Sequence, residues 1–138
     1  MKNSIVISAD KNIVAPAEVA AIYVELGWGT EREYSAARMK QSLENCDIVV
    51  SARNAGGELI GIGRALSDFA TTTKILDMLI VPEYRHQGIG KRMMQKIESL
   101  VKGTDIYGET EHKNFSFLEG CGYKKRKGLM VFVKKARR

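Results

Sequence analysis

The chain has 138 residues, 44% of them hydrophobic and 28% charged, which suits one domain with a core and excludes collagen-like, coiled-coil and wholly disordered chains. Its apolar runs are short, residues 78–81 being an example, so no helix of the roughly 20 apolar residues that cross a bilayer is expected. A formal charge of +6, from 22 Lys plus Arg against 16 Asp plus Glu, favours an anionic ligand.

The first ten residues lack the basic, apolar and small-residue regions of a secretory signal, which predicts a cytoplasmic protein with no membrane partner. Cys46 and Cys121 are far apart, with neither C-x-x-C spacing nor a matching set of histidines, so both read as reduced thiols and no metal is expected. Lys124, Lys125, Arg126, Lys127, Lys134, Lys135, Arg137 and Arg138 crowd the C-terminal region. Without aromatic residues interleaved among them they read as a solvated tail, and a nucleic-acid partner is not expected.

In chain order, residues 4–8 carry Ile5, Val6 and Ile7 and predict a strand. Residues 15–26 predict an amphipathic helix, with Pro16 in its first turn, Val19, Ile22, Tyr23 and Leu26 on one side, and Gly27 as its stop. A second helix is predicted over 33–44, with Ala36, Met39 and Leu43 at helical spacing and Thr30 or Glu31 near its start. Residues 47–53 and 59–67 flank Asn54-Ala55-Gly56-Gly57 and predict a hairpin. A strand over 71–81 is nearly all apolar from Ile75 onward, as a strand covered on both faces should be, and only Asp77 interrupts it.

From Ile89 the period changes to 3.6, with Ile89, Met93, Ile97, Leu100 and Val101 on one stripe and Gly103 at the end. A short strand at 105–107, a short helix near 114–119 and a last strand at 129–134 complete the order β-α-α-β-β-β-α-β-α-β. That order predicts a single α/β domain over residues 1–138, its mixed sheet antiparallel at first and parallel across the crossover helix.

The chemistry concentrates at Arg85-His86-Gln87-Gly88-Ile89-Gly90, between the apolar strand and the amphipathic helix. Glycines there allow a tight turn and expose main-chain N–H groups at a helix start, where unpaired donors and the positive end of the macrodipole favour a pyrophosphate. Arg85, His86, Lys91 and Arg92 add positive charge. Met93 stands where a dinucleotide-binding fingerprint needs its third glycine, and no Walker loop occurs.

The stretch ILDMLIVPEYRHQGIGKRMMQKI resembles motif A of the GNAT superfamily of N-acetyltransferases, usually written Gln/Arg-x-x-Gly-x-Gly/Ala, with Pro82, Glu83, Tyr84, Arg85, Gly88, Ile89 and Gly90 matching. The element order is also similar to that fold, over about residues 3–134. Within the superfamily, residues 61–91 resemble small plastid and bacterial amine acetyltransferases related to serotonin N-acetyltransferase. FSFLEGCGY resembles motif B, Phe-Tyr-x-x-x-Gly-Phe/Tyr, through Phe117, Gly122 and Tyr123, with Leu118 where the pattern has tyrosine.

The resemblance implies acetyl-CoA as donor, its pyrophosphate on the amides of His86, Gln87, Gly88, Ile89, Gly90 and Lys91 and its pantetheine arm paired with Met78, Leu79 and Ile80. The acetyl group would pass directly to a primary amine of a small molecule or peptide. The oxyanion then needs a donor, expected to be the N–H of Leu79 or Ile80. The base is expected to be Asp77, since a carboxylate in an apolar strand is costly unless paired or functional. With Leu118 unable to give a proton, Tyr123, Tyr84, Tyr107 or water would protonate the thiolate. Asp68, Glu109, Glu111 and Trp28 are candidates for the acceptor side. A catalytically weak acyl-CoA sensor is the alternative function, and a homodimer is left open.

Overall fold

The computed structural model describes residues 4–137. They fall into two compact units, Met1–Gly108 and Glu109–Arg138. In the first unit, β1 (Val6–Ser8), β2 (Ile48–Arg53), β3 (Leu59–Ser67), β4 (Thr72–Ile80) and β5 (Asp105–Tyr107) form one sheet in the order of the chain. Pairing is antiparallel from β1 to β4 and parallel between β4 and β5, as a hairpin run followed by a crossover requires.

Local chemistry fixes the connections. Between β2 and β3 the Asn54 side-chain oxygen accepts from the N–H groups of Gly56 (3.0 Å) and Glu58 (2.9 Å), and Gly57 takes the left-handed conformation at φ +81°. Helix α1 (Pro16–Glu25) starts on a proline, and Glu18 in its first turn binds the Ala15 N–H at 2.9 Å and Arg53 on β2. Helix α2 (Ala36–Asn45) begins three residues later than its spacing suggests. Ser35 accepts the Arg38 N–H at 3.2 Å as N-cap, while Tyr34 N–H closes a separate turn on the Thr30 carbonyl. Beyond its C-terminus the Lys11 ammonium binds the Cys46 carbonyl.

Helices α1 and α2 cover one face of the sheet, where Val19, Ile22, Tyr23, Met39 and Leu43 pack with Val49, Ile62 and Leu79. Helix α3 (Ile89–Leu100) buries Ile89, Gly90, Met93, Met94 and Ile97. It covers the opposite face, since a side chain at Gly61 or Gly63 would meet Met93 or Ile97. Leu100, expected on that stripe, is exposed, and Met94 occupies the core instead.

Two irregularities matter for β4. Arg64 pairs with Asp77 but Ala65 pairs with Ile75, so Leu76 is the extra residue of a β-bulge. Pairing with β5 is confined to Thr72–Lys74 against Asp105–Tyr107, and among the described residues no strand pairs with the rest of that edge of β4.

The second unit holds α4 (Phe115–Gly120). No strand forms at 129–134, contrary to the sequence pattern. Leu129, Met130, Val131, Phe132 and Val133 are all exposed. An extended segment becomes a strand only when another strand takes up its N–H and C=O groups, and among the described residues of this unit there is none.

Candidate functional site

The loop joining β4 to α3 is built from its own backbone. A 3-10 turn at Pro82–Tyr84 closes with Tyr84 N–H on Val81 O (3.0 Å) and Arg85 N–H on Pro82 O (3.2 Å). Gln87 Nε2 donates to the Glu83 carbonyl at 3.1 Å, and Asn54 Nδ2 donates to the Tyr84 hydroxyl at 3.1 Å, tying the loop to the β2–β3 turn. His86 at φ +62° and Gly88 at φ +82° are left-handed. Gly88 is the N-cap of α3, so the first intrahelical bond runs from Arg92 N–H to Gly88 O at 3.1 Å. The N–H groups of Ile89, Gly90 and Lys91 precede it and have no acceptor within the helix.

No side chain caps this helix, and His86, Gln87, Gly88 and Lys91 are exposed. The result is a set of N–H groups without intrahelical acceptors at the positive end of a helix dipole, flanked by Arg85, His86 and Lys91, which suits a phosphate group.

The β4 edge supplies a second set of main-chain groups. Val81 N–H donates to Ile60 O at 3.0 Å, which fixes the alternation along the antiparallel pair. The N–H groups of Leu79 and Asp77 therefore face β3, and those of Ile80 and Met78 face the opened side. Leu79 is thus corrected as an oxyanion donor and as a ligand for the pantetheine arm: its N–H belongs to the β3 ladder. Met78 and Ile80 keep theirs available. Arg85 Nε reaches the Ile80 carbonyl on that side at 2.8 Å.

Asp77 is buried. Its Oδ1 accepts from the Tyr23 hydroxyl (2.6 Å) and Arg64 Nε (3.2 Å), and its Oδ2 accepts from Arg64 Nη2 (2.5 Å). Three of its roughly four acceptor sites are used, and only 2% of the side chain is accessible. The cost of placing a carboxylate in an apolar strand is met by pairing, so the reason for reading Asp77 as the base falls away. Burial alone would lower the pKa of Arg64, but hydrogen bonding and charge from Asp77 outweigh it and raise the value. Burial, then the Asp77 charge, pushes the Tyr23 phenol above its ordinary range. Both groups hold their protons at neutral pH.

Arg64 also donates to Ser42 Oγ at 2.5 Å and lies 5.1 Å over the Tyr23 ring. Tyr34 stacks on Tyr23 at 4.7 Å, and Trp28, half exposed, meets Tyr23 edge-on at 5.9 Å. Trp28 is therefore the outer member of an aromatic cluster rather than a core residue. Arg64, Tyr23 and Tyr34 escape a motif-based reading, although a lone arginine in the otherwise apolar and small strand LIGIGRALS, followed by a lone aspartate in the next, carries the signal.

Asp68 closes its own loop. Its carboxylate accepts from the N–H groups of Ala70, Thr71 and Thr72 and from the Thr71 hydroxyl, and the hydroxyl first, then those amides, hold its carboxyl well below the usual range. It is corrected from acceptor-side residue to turn residue. A depressed value stabilises the loop fully above the unfolded carboxyl's pKa and is lost only as pH falls through the folded one. The amide shifts of Ala70, Thr71 and Thr72 should thus stay constant from pH 7 to about 4 and move only in stronger acid. An NMR titration with its midpoint near the ordinary aspartate value would contradict this.

Glu109, Glu111 and Tyr123 lie in the second unit. Glu111 pairs with Lys113 at 3.5 Å on the surface, and Tyr123 N–H closes the end of α4 on the Leu118 carbonyl at 3.0 Å. Among the described residues no helix is long and apolar enough to cross a membrane, and no three His, Cys, Asp or Glu side chains gather as metal ligands.

The chain is 35% identical over 75 residues to GCN5-related N-acetyltransferase 3, chloroplastic, of Arabidopsis thaliana and 32% identical over 89 residues to GCN5-related N-acetyltransferase 2, chloroplastic, of the same plant. Those alignments take in 50% and 60% of this chain but 30% and 34% of the relatives, so the chain spans about a third of their length. A crystal structure of a candidate acetyltransferase from Deinococcus radiodurans R1 superposes with a TM-score of 0.82 at 21% identity, covering 98% of this chain and 91% of that one. The GNAT-family acetyltransferase SP0256 from Streptococcus pneumoniae TIGR4 gives 0.78 at 23%, covering 96% and 99%. At those identities the likeness is one of fold. Residues 17–123, well over half the chain, match the Acetyltransferase (GNAT) family, and the chain belongs to that family.

Proposed function

We propose that this protein moves the acetyl group of acetyl-CoA directly to a primary amine. The observation that carries the reading is the pair of main-chain donor sets, the N–H groups of Ile89, Gly90 and Lys91 at the start of α3 and those of Met78 and Ile80 on the side of β4 away from β3, one set suited to a diphosphate and the other to an extended amide chain. In this reading the pantetheine arm lies along the β4 edge as an added strand. The thioester carbonyl accepts from Met78 or Ile80 N–H, which strengthens as negative charge grows on that oxygen.

The free amine attacks the carbonyl carbon, the N–C bond forms, and the C–S bond breaks with the electron pair leaving on sulfur. The amine's proton passes to water and water protonates the thiolate, because Asp77 is committed to Arg64 and Tyr23. Asp77 acts here as a positioning residue that fixes the strand immediately before Met78. Acceptor identity, whether small molecule or peptide, is set outside these main-chain contacts. A cytoplasmic location fits this donor, while the two named plant relatives are chloroplastic.

Titration calorimetry with acetyl-CoA and a CoA-release assay over a panel of amines test the proposal together. Binding and turnover on at least one amine are expected. Absence of acetyl-CoA binding overturns it. Tight binding with no turnover favours the sensor reading, which Leu118 motivates by standing where the motif B pattern has a tyrosine.

A further inference from the structure

The loop that carries Gly88 holds a conformation that its own residues do not favour. His86 sits at φ +62°, and a residue other than glycine persists in that region only where its surroundings over-determine it. Much of the bracing is local: Tyr84 N–H closes on Val81 O, Arg85 N–H on Pro82 O, and Gln87 Nε2 on the Glu83 carbonyl. Bonds of this kind travel with the segment they close, so they shape the loop without fastening it to the sheet.

The fastening comes from the turn between β2 and β3. The start of β3 lies beside the end of β4, where Val81 N–H donates to Ile60 O at 3.0 Å, and this brings the turn next to Pro82–Tyr84. Asn54 Oδ1 accepts from the N–H groups of Gly56 (3.0 Å) and Glu58 (2.9 Å), while Asn54 Nδ2 donates to Glu58 Oε1 (3.3 Å) and to the Tyr84 hydroxyl (3.1 Å). All four hydrogen-bonding positions of the amide are used, and with its oxygen committed to two N–H groups it cannot be turned over. Its main chain is held as well, by Asn54 N–H on Glu58 O and Gly57 N–H on Asn54 O. A fixed donor on a tight turn thus grips a residue 30 positions later in the chain.

We propose that Asn54 is a positioning residue for the donor: through the Tyr84 hydroxyl it holds residues 82–88 in the form that makes Gly88 the left-handed cap of α3. The inference rests on reading the Ile89, Gly90 and Lys91 N–H groups as the diphosphate site. A loop that is competent only part of the time binds with an affinity reduced by the competent fraction. Losing the brace therefore weakens acetyl-CoA binding and leaves the chemistry of the bound complex as it was.

Asn54→Ala, Tyr84→Phe and the double variant test this. Tyr84→Phe keeps the ring and the turn and removes only the oxygen that Nδ2 binds, so it separates the brace from damage to the turn. Each single change should raise the acetyl-CoA dissociation constant roughly three- to tenfold, the range expected for one hydrogen bond. KM for acetyl-CoA should rise in step while kcat stays within about twofold. The double variant should bind no more weakly than Asn54→Ala, because with one partner gone the other has nothing left to lose. Amide exchange at Tyr84 and Arg85 in the donor-free chain should be faster in all three variants. Unchanged dissociation constants in both single variants overturn the proposal, even with a lowered melting temperature, since a bond of purely structural value acts on stability alone. Losses that add in the double variant overturn it too. A wild-type chain that binds no acetyl-CoA overturns the diphosphate reading and this proposal with it, whereas a wild type that binds beside variants that bind equally well overturns the proposal alone.

Discussion

Arg64→Ala is expected to lower the unfolding free energy by about 3–5 kcal/mol, a large part of the stability of a domain this size. The reason is what it leaves behind. Asp77 would remain buried with only the Tyr23 hydroxyl at 2.6 Å, having lost both guanidinium contacts, and an unpaired buried charge is far more costly than a pair replaced as a unit. Arg64→Lys should recover only part of the loss, since a single ammonium cannot supply the two-pronged contact and does not lie flat over the Tyr23 ring.

Replacing both partners by leucine should be milder than Arg64→Ala, because no orphaned charge remains. Urea unfolding of the wild type, Arg64→Ala, Arg64→Leu, Asp77→Leu and the double leucine variant measures this directly, with the coupling extracted from the leucine cycle. A loss below about 1 kcal/mol in Arg64→Ala would mean that water reaches Asp77 and that its burial is not real.

Gly88→Asp should weaken acetyl-CoA binding by roughly 10- to 100-fold, or about 1.4–2.8 kcal/mol. The space is open, since a Cβ at Gly88 meets nothing within 4 Å, so the loss comes from charge and conformation rather than from a clash with the protein. Aspartate puts a negative charge at the end of a helix dipole already reserved for the diphosphate, where it competes for the same N–H groups. Gly88→Asn is the informative control. Asparagine adopts φ near +82° about as readily as aspartate and carries no charge. Calorimetry should therefore show the asparagine variant much nearer to the wild type. Equal affinities for all three proteins would move the diphosphate away from α3.

Much of this arrangement is legible in the sequence because it follows from periodicity and from glycine. The switch from an apolar strand to a 3.6-residue stripe at Ile89 locates the helix start, and Gly88 locates its left-handed cap. The sign of the alternation along β4 is not legible, because which edge each N–H faces is set by the register of two strands jointly and leaves no mark in either alone. That is why Leu79 and Ile80 look equivalent as donors in the sequence, while only Ile80 and Met78 face the open side. The pairing of Asp77 is hidden for a related reason: Arg64 is 13 residues away along the chain and directly opposite across the sheet. The strand pattern at 129–134 is read correctly as a propensity, yet propensity does not provide a neighbour.

The extra residue at Leu76 has a bearing on how length changes can be tolerated in this lineage. Because Leu76 pairs with nothing across β3, its loss would straighten the ladder while leaving Asp77 turned toward Tyr23 and the Met78 and Ile80 amides outward. Excising any one residue between 77 and 80 would instead invert the orientation of every position between the cut and Asp77 or Val81. Single-residue gaps among related chains should gather at Leu76 and avoid the four positions that follow.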